Sequence, residues 1–205
     1  MELALAALTP SERYKLLTGF VIPRPIAWIS TTSAGGVSNC APFSFFNVVA
    51  DDPPLLIVGF GPGSAGEPKH SLKNIRRTGE FVVNLVEEAN ANAMHRSSDE
   101  IPEDESEFAL AGLTAAPSVR VSHPRIAEAS VSFECKVYRR IEVHPLRELI
   151  LGEILLVHAR DGLIDVRSKR VNEALYRPIG RLYANRYCTT RQRFNLPGDL
   201  PGEAT

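Results

Sequence analysis

Apolar and polar residues alternate most regularly between Ser130 and Val143. One set of alternate positions is mainly apolar and consists of Val131, Phe133, Cys135 and Val137. The other set is mainly polar and consists of Ser132, Glu134, Lys136 and Tyr138. A period of two residues is typical of an antiparallel strand that buries one face. The pattern therefore predicts a long, half-buried strand in this stretch.

Shorter apolar runs, rich in β-branched and aromatic residues, predict further strands. These runs are Pro25–Ile29, Val37–Val49, Leu55–Phe60, Glu80–Val86 and Leu149–Ala159. Short helices are predicted over 10–19, 69–77 and 87–96, the first with Thr9 as its N-cap and Pro10 as its first residue. We expect about six or seven strands and no regular βαβ alternation. The predicted fold class is therefore mainly β, an antiparallel barrel with short helices packed outside it.

Composition agrees with one globular domain and excludes some partners. The chain has 205 residues, of which 44% are hydrophobic and 23% are charged. We expect an N-terminal arm and helix at 1–19, a single domain at 20–194 and a flexible tail at 195–205. A net charge of −1 provides no general attraction for nucleic acid. The apolar runs are too short to cross a membrane, and the N-terminal stretch lacks the basic segment of a signal peptide.

The residue types that carry hydrolytic or metal chemistry form no recognisable motif. The chain has five histidines, but it has no G-x-S-x-G, H-E-x-x-H or C-x-x-C sequence. Cys40, Cys135 and Cys188 are far apart in the sequence. This spacing predicts reduced thiols, a cytoplasmic location and no zinc site. Any chemistry is therefore expected to belong to a cofactor that the protein positions.

Two polar loops have simple interpretations. The glycines at 61–66 match G-x-G-x-x-G, but Glu67 and Pro68 follow where a dinucleotide site needs a helix, so we interpret this segment as a plain loop. The loop at 97–107 contains six acidic residues, namely Asp99, Glu100, Glu103, Asp104, Glu105 and Glu107. We expect it to be solvated and mobile, with a lid over a ligand as the alternative.

Small polar side chains are concentrated between Arg24 and Val49. The first predicted strand leads into four hydroxyl residues at 30–33, and Gly35 and Gly36 then allow a tight hairpin turn. The returning segment carries Ser38, Asn39 and Ser44. These groups beside a hydrophobic sheet suit a flat ligand with a polar edge and a phosphate.

A second group of residues suits the phosphate itself. Lys69, Ser71 and Asn74 lie at the predicted start of a helix. Backbone N–H groups and the helix dipole favour an anion there, and a lysine adds a positive charge. Each residue alone could have an ordinary structural role, but together they predict a phosphate site.

Two blocks of the sequence resemble the flavin reductase-like family, whose members contain an FMN-binding split barrel. The blocks are RPIAWIST…GGVSNCAPFSFFNVVADDPPLLIVGF and KHSLKNIRRTGEFVVNLV. Later segments agree in order, namely PRIAEASVSFECKV, LILGEILLVHARDGLID and RPIGRLYANRYCT. The resemblance extends from Phe20 to Phe194. It implies a split β-barrel of the Greek-key type that forms a homodimer, with its ligand near the subunit interface.

The resemblance also implies a function. The family includes flavoredoxin-like proteins and the reductase components of two-component monooxygenases. It therefore implies an NAD(P)H-dependent flavin reductase with FMN as cofactor and NADH or NADPH as electron donor. Hydride would pass to flavin N5, and reduced flavin or its electrons would pass to a partner monooxygenase or another acceptor. A non-enzymatic FMN-binding electron carrier and a relative of pyridoxamine phosphate oxidase are the alternatives.

Positions that match the family's motifs imply the flavin-binding residues. They are Ser30, Thr31, Thr32, Asn39, Cys40, Ala41, Ser44, Phe45, Lys69, Ser71 and Asn74. Arg181 and Tyr183 are further candidates, and either Arg181 or Lys73 is expected to place a cation near the pyrimidine edge of the ring. His70 departs from the acidic residue that the family has at this position. Cys40 is expected to pack near the ligand without a redox role.

Overall fold

The computed structural model describes residues 1–64 and 66–196, so most of the tail predicted at 195–205 lies outside the described residues. The strands are β1 (Ala27–Thr32), β2 (Ser38–Phe43), β3 (Phe46–Asp51), β4 (Pro54–Phe60), β5 (Glu80–Leu85), β6 (Ala115–Ala116), β7 (Arg125–Ile126), β8 (Val131–His144), β9 (Arg147–Ala159), β10 (Ile179–Arg181) and β11 (Tyr187–Thr189). The helices are α1 (Pro10–Phe20), α2 (His70–Thr78), α3 (Ala91–Arg96) and α4 (Glu107–Ala111), with short 3-10 turns at Leu5–Ala7 and Glu88–Asn90. None of the helices in this part of the chain is long and apolar enough to cross a membrane.

Seven strands form one antiparallel sheet in the order β2-β1-β5-β8-β9-β4-β3. Its two edge strands, β2 and β3, are consecutive in the chain and are separated only by Ser44 and Phe45. The edges therefore meet in a region that we call the seam, which consists of Phe43, Ser44 and Phe45 with Gly59 and Phe60 of β4. There the Gly59 N–H donates to the Phe45 carbonyl at 2.7 Å, and the rings of Phe43 and Phe60 pack with their centroids 4.6 Å apart. The fold is the predicted antiparallel split barrel.

Strand β1 is buried on both faces and separates two apolar cores. Ala27 and Ile29 face the barrel interior, because alternate residues of a strand point to opposite sides. Trp28 points the other way, into a second core between the barrel and the outer segments. That second core also contains Ile26, Cys40, Val86, Met94, Phe108, Ile126 and Ile179.

Several local predictions are confirmed. Thr9 caps α1, since its hydroxyl accepts from the Glu12 N–H at 3.3 Å while the Glu12 carboxylate accepts from the Thr9 N–H at 2.8 Å. Pro10 is the first residue of this helix. The long alternating stretch is the strand β8, and it pairs with β9 along its whole length. Helix α2 ends before Gly79, whose φ of 71° is readily adopted by glycine.

The burial of β8 differs from the prediction, because Ser132 and Glu134 on the expected polar face are 1% and 0% exposed. Ser132 donates to Asn84, and Glu134 accepts from backbone N–H groups at 119–121.

One predicted strand is two strands in the structure. The apolar character of Val37–Val49 predicts a single extended segment, whereas β2 ends at Phe43 and β3 begins at Phe46. The chain turns at Ser44 and Phe45 and crosses from one edge of the sheet to the other. The prediction was wrong because both arms are extended and apolar, so composition alone does not show the corner between them.

Candidate functional site

Asn39 lies at the centre of a buried group of polar side chains that joins the barrel to two helices. Its amide oxygen accepts hydrogen bonds from Thr31 Oγ1 at 3.0 Å and from Ser71 Oγ at 2.9 Å. Thr31 Oγ1 accepts in turn from Asn74 Nδ2 at 3.0 Å, and Asn39 Nδ2 donates to Glu107 at 2.7 Å. All five residues are 5% exposed or less. Since water cannot replace these bonds, each polar group depends on the others.

Strand register and helical spacing explain why these side chains meet. Thr31 and Asn39 are direct partners in the β1–β2 pairing, so their side chains lie on the same face. Ser71 and Asn74 are three residues apart on α2 and share the buried face of that helix. Two strands and one helix thus bring four of the predicted site residues together.

Glu107 is a residue that the sequence reasoning missed. Its second carboxylate oxygen accepts from the Cys40 backbone N–H at 3.3 Å, and the neighbouring Ser106 hydroxyl donates to the Ser38 carbonyl at 2.6 Å. Both contacts satisfy backbone groups at the edge of the sheet, which otherwise lack partners. The prediction of a solvated loop is therefore wrong at Glu107, which is buried at the start of α4. Burial raises the pKa of this carboxyl above its ordinary value.

A pocket of about 250 Å³ lies beside this polar group. Strand β2 contributes Asn39 and Ala41 to its wall, and the start of α2 contributes Lys69, His70, Ser71 and Lys73. Parts of the glycine loop at 63–68 and of the acidic loop at 97–107 form the rest. The pocket therefore combines the strand and the helix start that the sequence singled out with two loops. One is the acidic loop, for which a place over a ligand was the alternative interpretation, and the other is the glycine loop, which we interpreted as a plain loop.

In the wall of this pocket, Ser64 and Lys69 hold the carboxylate of Glu100. The Ser64 N–H donates to its two oxygens at 3.0 and 3.1 Å, the Ser64 hydroxyl donates to the same carboxylate, and Lys69 Nζ donates at 3.1 Å. These bonds, the one from the Ser64 hydroxyl above all, lower the pKa of Glu100 to about 2. Lys73 forms a second ion pair, in which its Nζ lies 3.8 Å from Oε2 of Glu103. Three donors that converge on one anion form a donor set that also fits phosphate oxygens.

The side chains of three predicted residues belong neither to the pocket wall nor to the polar group around Asn39. Ser30 points to the opposite face of β1, where its hydroxyl donates to the Pro124 carbonyl at 2.6 Å. The carbonyl of Thr32 accepts from Arg77 at 2.7 Å. Cys40 is fully buried in the second core, and burial raises the pKa of its thiol. A raised thiol pKa opposes formation of the reactive thiolate.

The other four predicted residues, Ser44, Phe45, Arg181 and Tyr183, lie outside the pocket. Arg24 connects Ser44 at the seam with the segment that contains Arg181 and Tyr183, because its Nε lies 3.5 Å from Ser44 Oγ and its Nη2 donates to the Leu182 carbonyl at 2.6 Å. Its backbone pairs with that of Arg181 in both directions, at 2.9 and 2.8 Å. The structure thus divides the predicted site into a pocket group and a seam group. The predicted cation Lys73 belongs to the first and Arg181 to the second.

The chain is similar to known proteins over most of its length. A family model described as flavin reductase like domain matches residues 19–176. An uncharacterized protein of Aquifex aeolicus is 44% identical over 187 residues, which cover 91% of this chain and 94% of that protein. The crystal structure of 2-nitrobenzoate 2-nitroreductase from Pseudomonas fluorescens has a TM-score of 0.88 and 35% identity, covering 100% of this chain and 98% of that one. Nitrilotriacetate monooxygenase component B from Bacillus cereus has a TM-score of 0.90 and 34% identity, covering 96% and 98%.

Replacing Glu107 by alanine tests the polar group directly. The change leaves Asn39 Nδ2 and the Cys40 N–H buried without their acceptor, so the free energy of unfolding should fall by about 2–4 kcal/mol. Urea denaturation measures this. The control is Glu105→Ala, an exposed residue of the same loop, which should change stability by about 0.5 kcal/mol or less. Equal stabilities of the two variants would show that the Glu107 contacts contribute nothing.

Proposed function

The chain belongs to the flavin reductase-like family, and on that premise we propose that it is an NAD(P)H-dependent reductase that uses FMN. When bound, FMN supplies a ring that accepts hydride at N5 and releases electrons to an acceptor. The protein supplies binding, orientation and exclusion of water. In a two-component monooxygenase, a separate oxygenase uses such electrons. The similarity to nitrilotriacetate monooxygenase component B supports a partner oxygenase as the acceptor.

The observation that carries this proposal is the anion-binding donor set in the pocket wall. Ser64 and Lys69 already hold a carboxylate, which stands in for phosphate oxygens. Helix α2 begins directly after Lys69 without a side-chain cap, so the N–H groups of its first turn are available to an anion. The Ser71 hydroxyl donates its one proton to Asn39, so we expect Ser71 to contribute its backbone N–H instead. Asn74 lies behind this layer and supports Thr31.

The ring is proposed to lie along β2 toward the seam. From Asn39 to Phe43 the strand spans about 13 Å at roughly 3.3 Å per residue, and this length would hold an elongated ligand. The pocket end offers the Lys69 ammonium group and backbone N–H groups, and the seam end offers the exposed aromatic ring of Phe45. This order of groups suits a molecule that has a phosphate at one end and a flat ring at the other.

Reduction of bound FMN by NADH or NADPH distinguishes an enzyme from an electron carrier. We expect the purified protein, loaded with FMN and kept free of oxygen, to lose its yellow colour within seconds when NADH or NADPH is added. Absorbance near the flavin maximum follows the reaction, and free FMN with the same donor is the control. Persistence of the colour with both donors would support the non-enzymatic carrier. Oxidation of pyridoxamine phosphate, assayed in the same preparation, would support the third alternative.

A homodimer is also proposed, because apolar side chains of α1, of β3 and of the residues beside them are exposed. This α1–β3 surface consists of Tyr14, Leu17, Phe20, Val21, Ile22, Phe45, Val48 and Val49. Tyr14 and Phe45 connect its two parts, with ring centroids 6.4 Å apart. Monomers rarely expose large contiguous apolar patches, so a second copy is the proposed cover. Arg181 and Tyr183 lie in the segment that Arg24 connects to the seam, and a second copy there would enclose them with Phe45.

Val48→Lys tests the dimer. A charge placed in the α1–β3 surface should shift the mass measured by light scattering at micromolar concentration from that of a dimer to that of a monomer. Val166→Lys is the matched control, since Val166 is equally apolar, is 80% exposed and lies outside this surface. A wild-type protein that is a monomer with flavin bound would contradict the proposal.

Lys69→Ala tests the position of the phosphate. The change removes a charge-assisted contact worth about 1.5–3 kcal/mol, so FMN affinity should fall roughly ten- to a hundred-fold. Riboflavin lacks the phosphate and should bind the wild type and the variant about equally, as measured by flavin fluorescence. Equal losses for both ligands would show that Lys69 does not hold the phosphate.

A further inference from the structure

The acidic loop at 97–107 contacts the phosphate donors that the proposed function requires. Glu100 accepts from the Ser64 N–H, the Ser64 hydroxyl and Lys69 Nζ. Glu103 lies 3.8 Å from the next lysine of the helix, Lys73. Each of the two lysines at the start of α2 is thus neutralised by a carboxylate from one loop. The contact brings together residues 31 to 36 positions apart, so it is a tertiary contact rather than a local turn.

Glu100 and a phosphate would need the same donors. A carboxylate and a phosphate both present oxygens to N–H, O–H and ammonium groups, and both are negatively charged. If both stayed at Ser64 and Lys69, like charges would repel each other within a few ångströms. One anion must therefore leave when the other binds.

The contacts of Glu100 are exposed enough for another anion to displace this carboxylate. The side chains of Lys69 and Glu100 are 34% and 46% exposed, and ion pairs at such exposure add little to stability. Glu107, at the other end of the loop, is buried and fixed to Asn39. The loop is also anchored at its start, where the buried Ser97 hydroxyl accepts from Trp28 Nε1 at 2.8 Å. Between these two anchors, Glu100 is held by exposed contacts.

We propose that Glu100 is an affinity-determining residue, an internal anion that competes with the phosphate of FMN for Ser64 and Lys69. The proposal rests on the proposed function. Its consequence is that FMN exchanges between the protein and solution, because the protein supplies its own replacement for the phosphate when FMN departs. Riboflavin, which carries no phosphate, does not experience this competition.

Glu100→Gln tests the competition, because glutamine keeps the shape of the side chain and removes its charge. We expect FMN to bind about ten-fold more tightly to this variant and to dissociate more slowly, while riboflavin affinity stays unchanged. Fluorescence titration gives the affinities, and stopped-flow dilution gives the dissociation rates. Glu105→Gln is the matched control, with the same change of charge at an exposed position in the same loop, and should leave FMN affinity within about two-fold.

The outcomes separate the two proposals. If the wild type binds FMN but Glu100→Gln binds it equally or more weakly, Glu100 does not compete and this inference alone is overturned. If Glu105→Gln strengthens FMN binding as much as Glu100→Gln does, general charge explains the gain and the inference is also overturned. If the wild type binds neither FMN nor riboflavin, the proposed function fails together with it.

Discussion

The candidate site depends on the need to satisfy the buried amide of Asn39. The side chain has one acceptor oxygen and one donor nitrogen and is only 5% exposed, so its partners come from the protein. Thr31 and Ser71 provide the donors, and Glu107 provides the acceptor. These three partners belong to β1, α2 and α4, so one side chain fixes a strand, the helix that follows the glycine loop and the end of the acidic loop. The pocket wall owes its arrangement to this set of bonds.

Much of the fold was predictable because its signals are local. The alternation over Val131–Val137, the cap at Thr9 and the glycine at position 79 each specify a feature within a few residues, and the structure has the strand, the cap and the helix end. The burial of Ser132 and Glu134 on the polar face of that strand was not predictable from the alternation. The corner at Ser44 and Phe45 was not predictable in this way. It exists because the sheet must close on itself, and closure is a property of all seven strands rather than of one segment.

The site was predictable in part for the same reason. Ser71 and Asn74 share a helix face by spacing alone, and the hairpin at Gly35 and Gly36 sets Thr31 opposite Asn39. Neighbouring hydroxyls on a strand alternate between faces, which is why Ser30 does not join Thr31 in the pocket group. Glu107 and Ser64 were missed because their contacts cross long stretches of sequence. A buried glutamate at the end of an acidic run looks the same in sequence as its solvated neighbours.

A crystal structure of the protein with FMN bound would show which groups hold the phosphate. We expect phosphate oxygens within hydrogen-bond distance of Lys69 Nζ and of the first N–H groups of α2, with Glu100 moved away from Lys69 and the bonds of Asn39 intact. A phosphate bound elsewhere, with Glu100 still held by Ser64 and Lys69, would contradict this expectation.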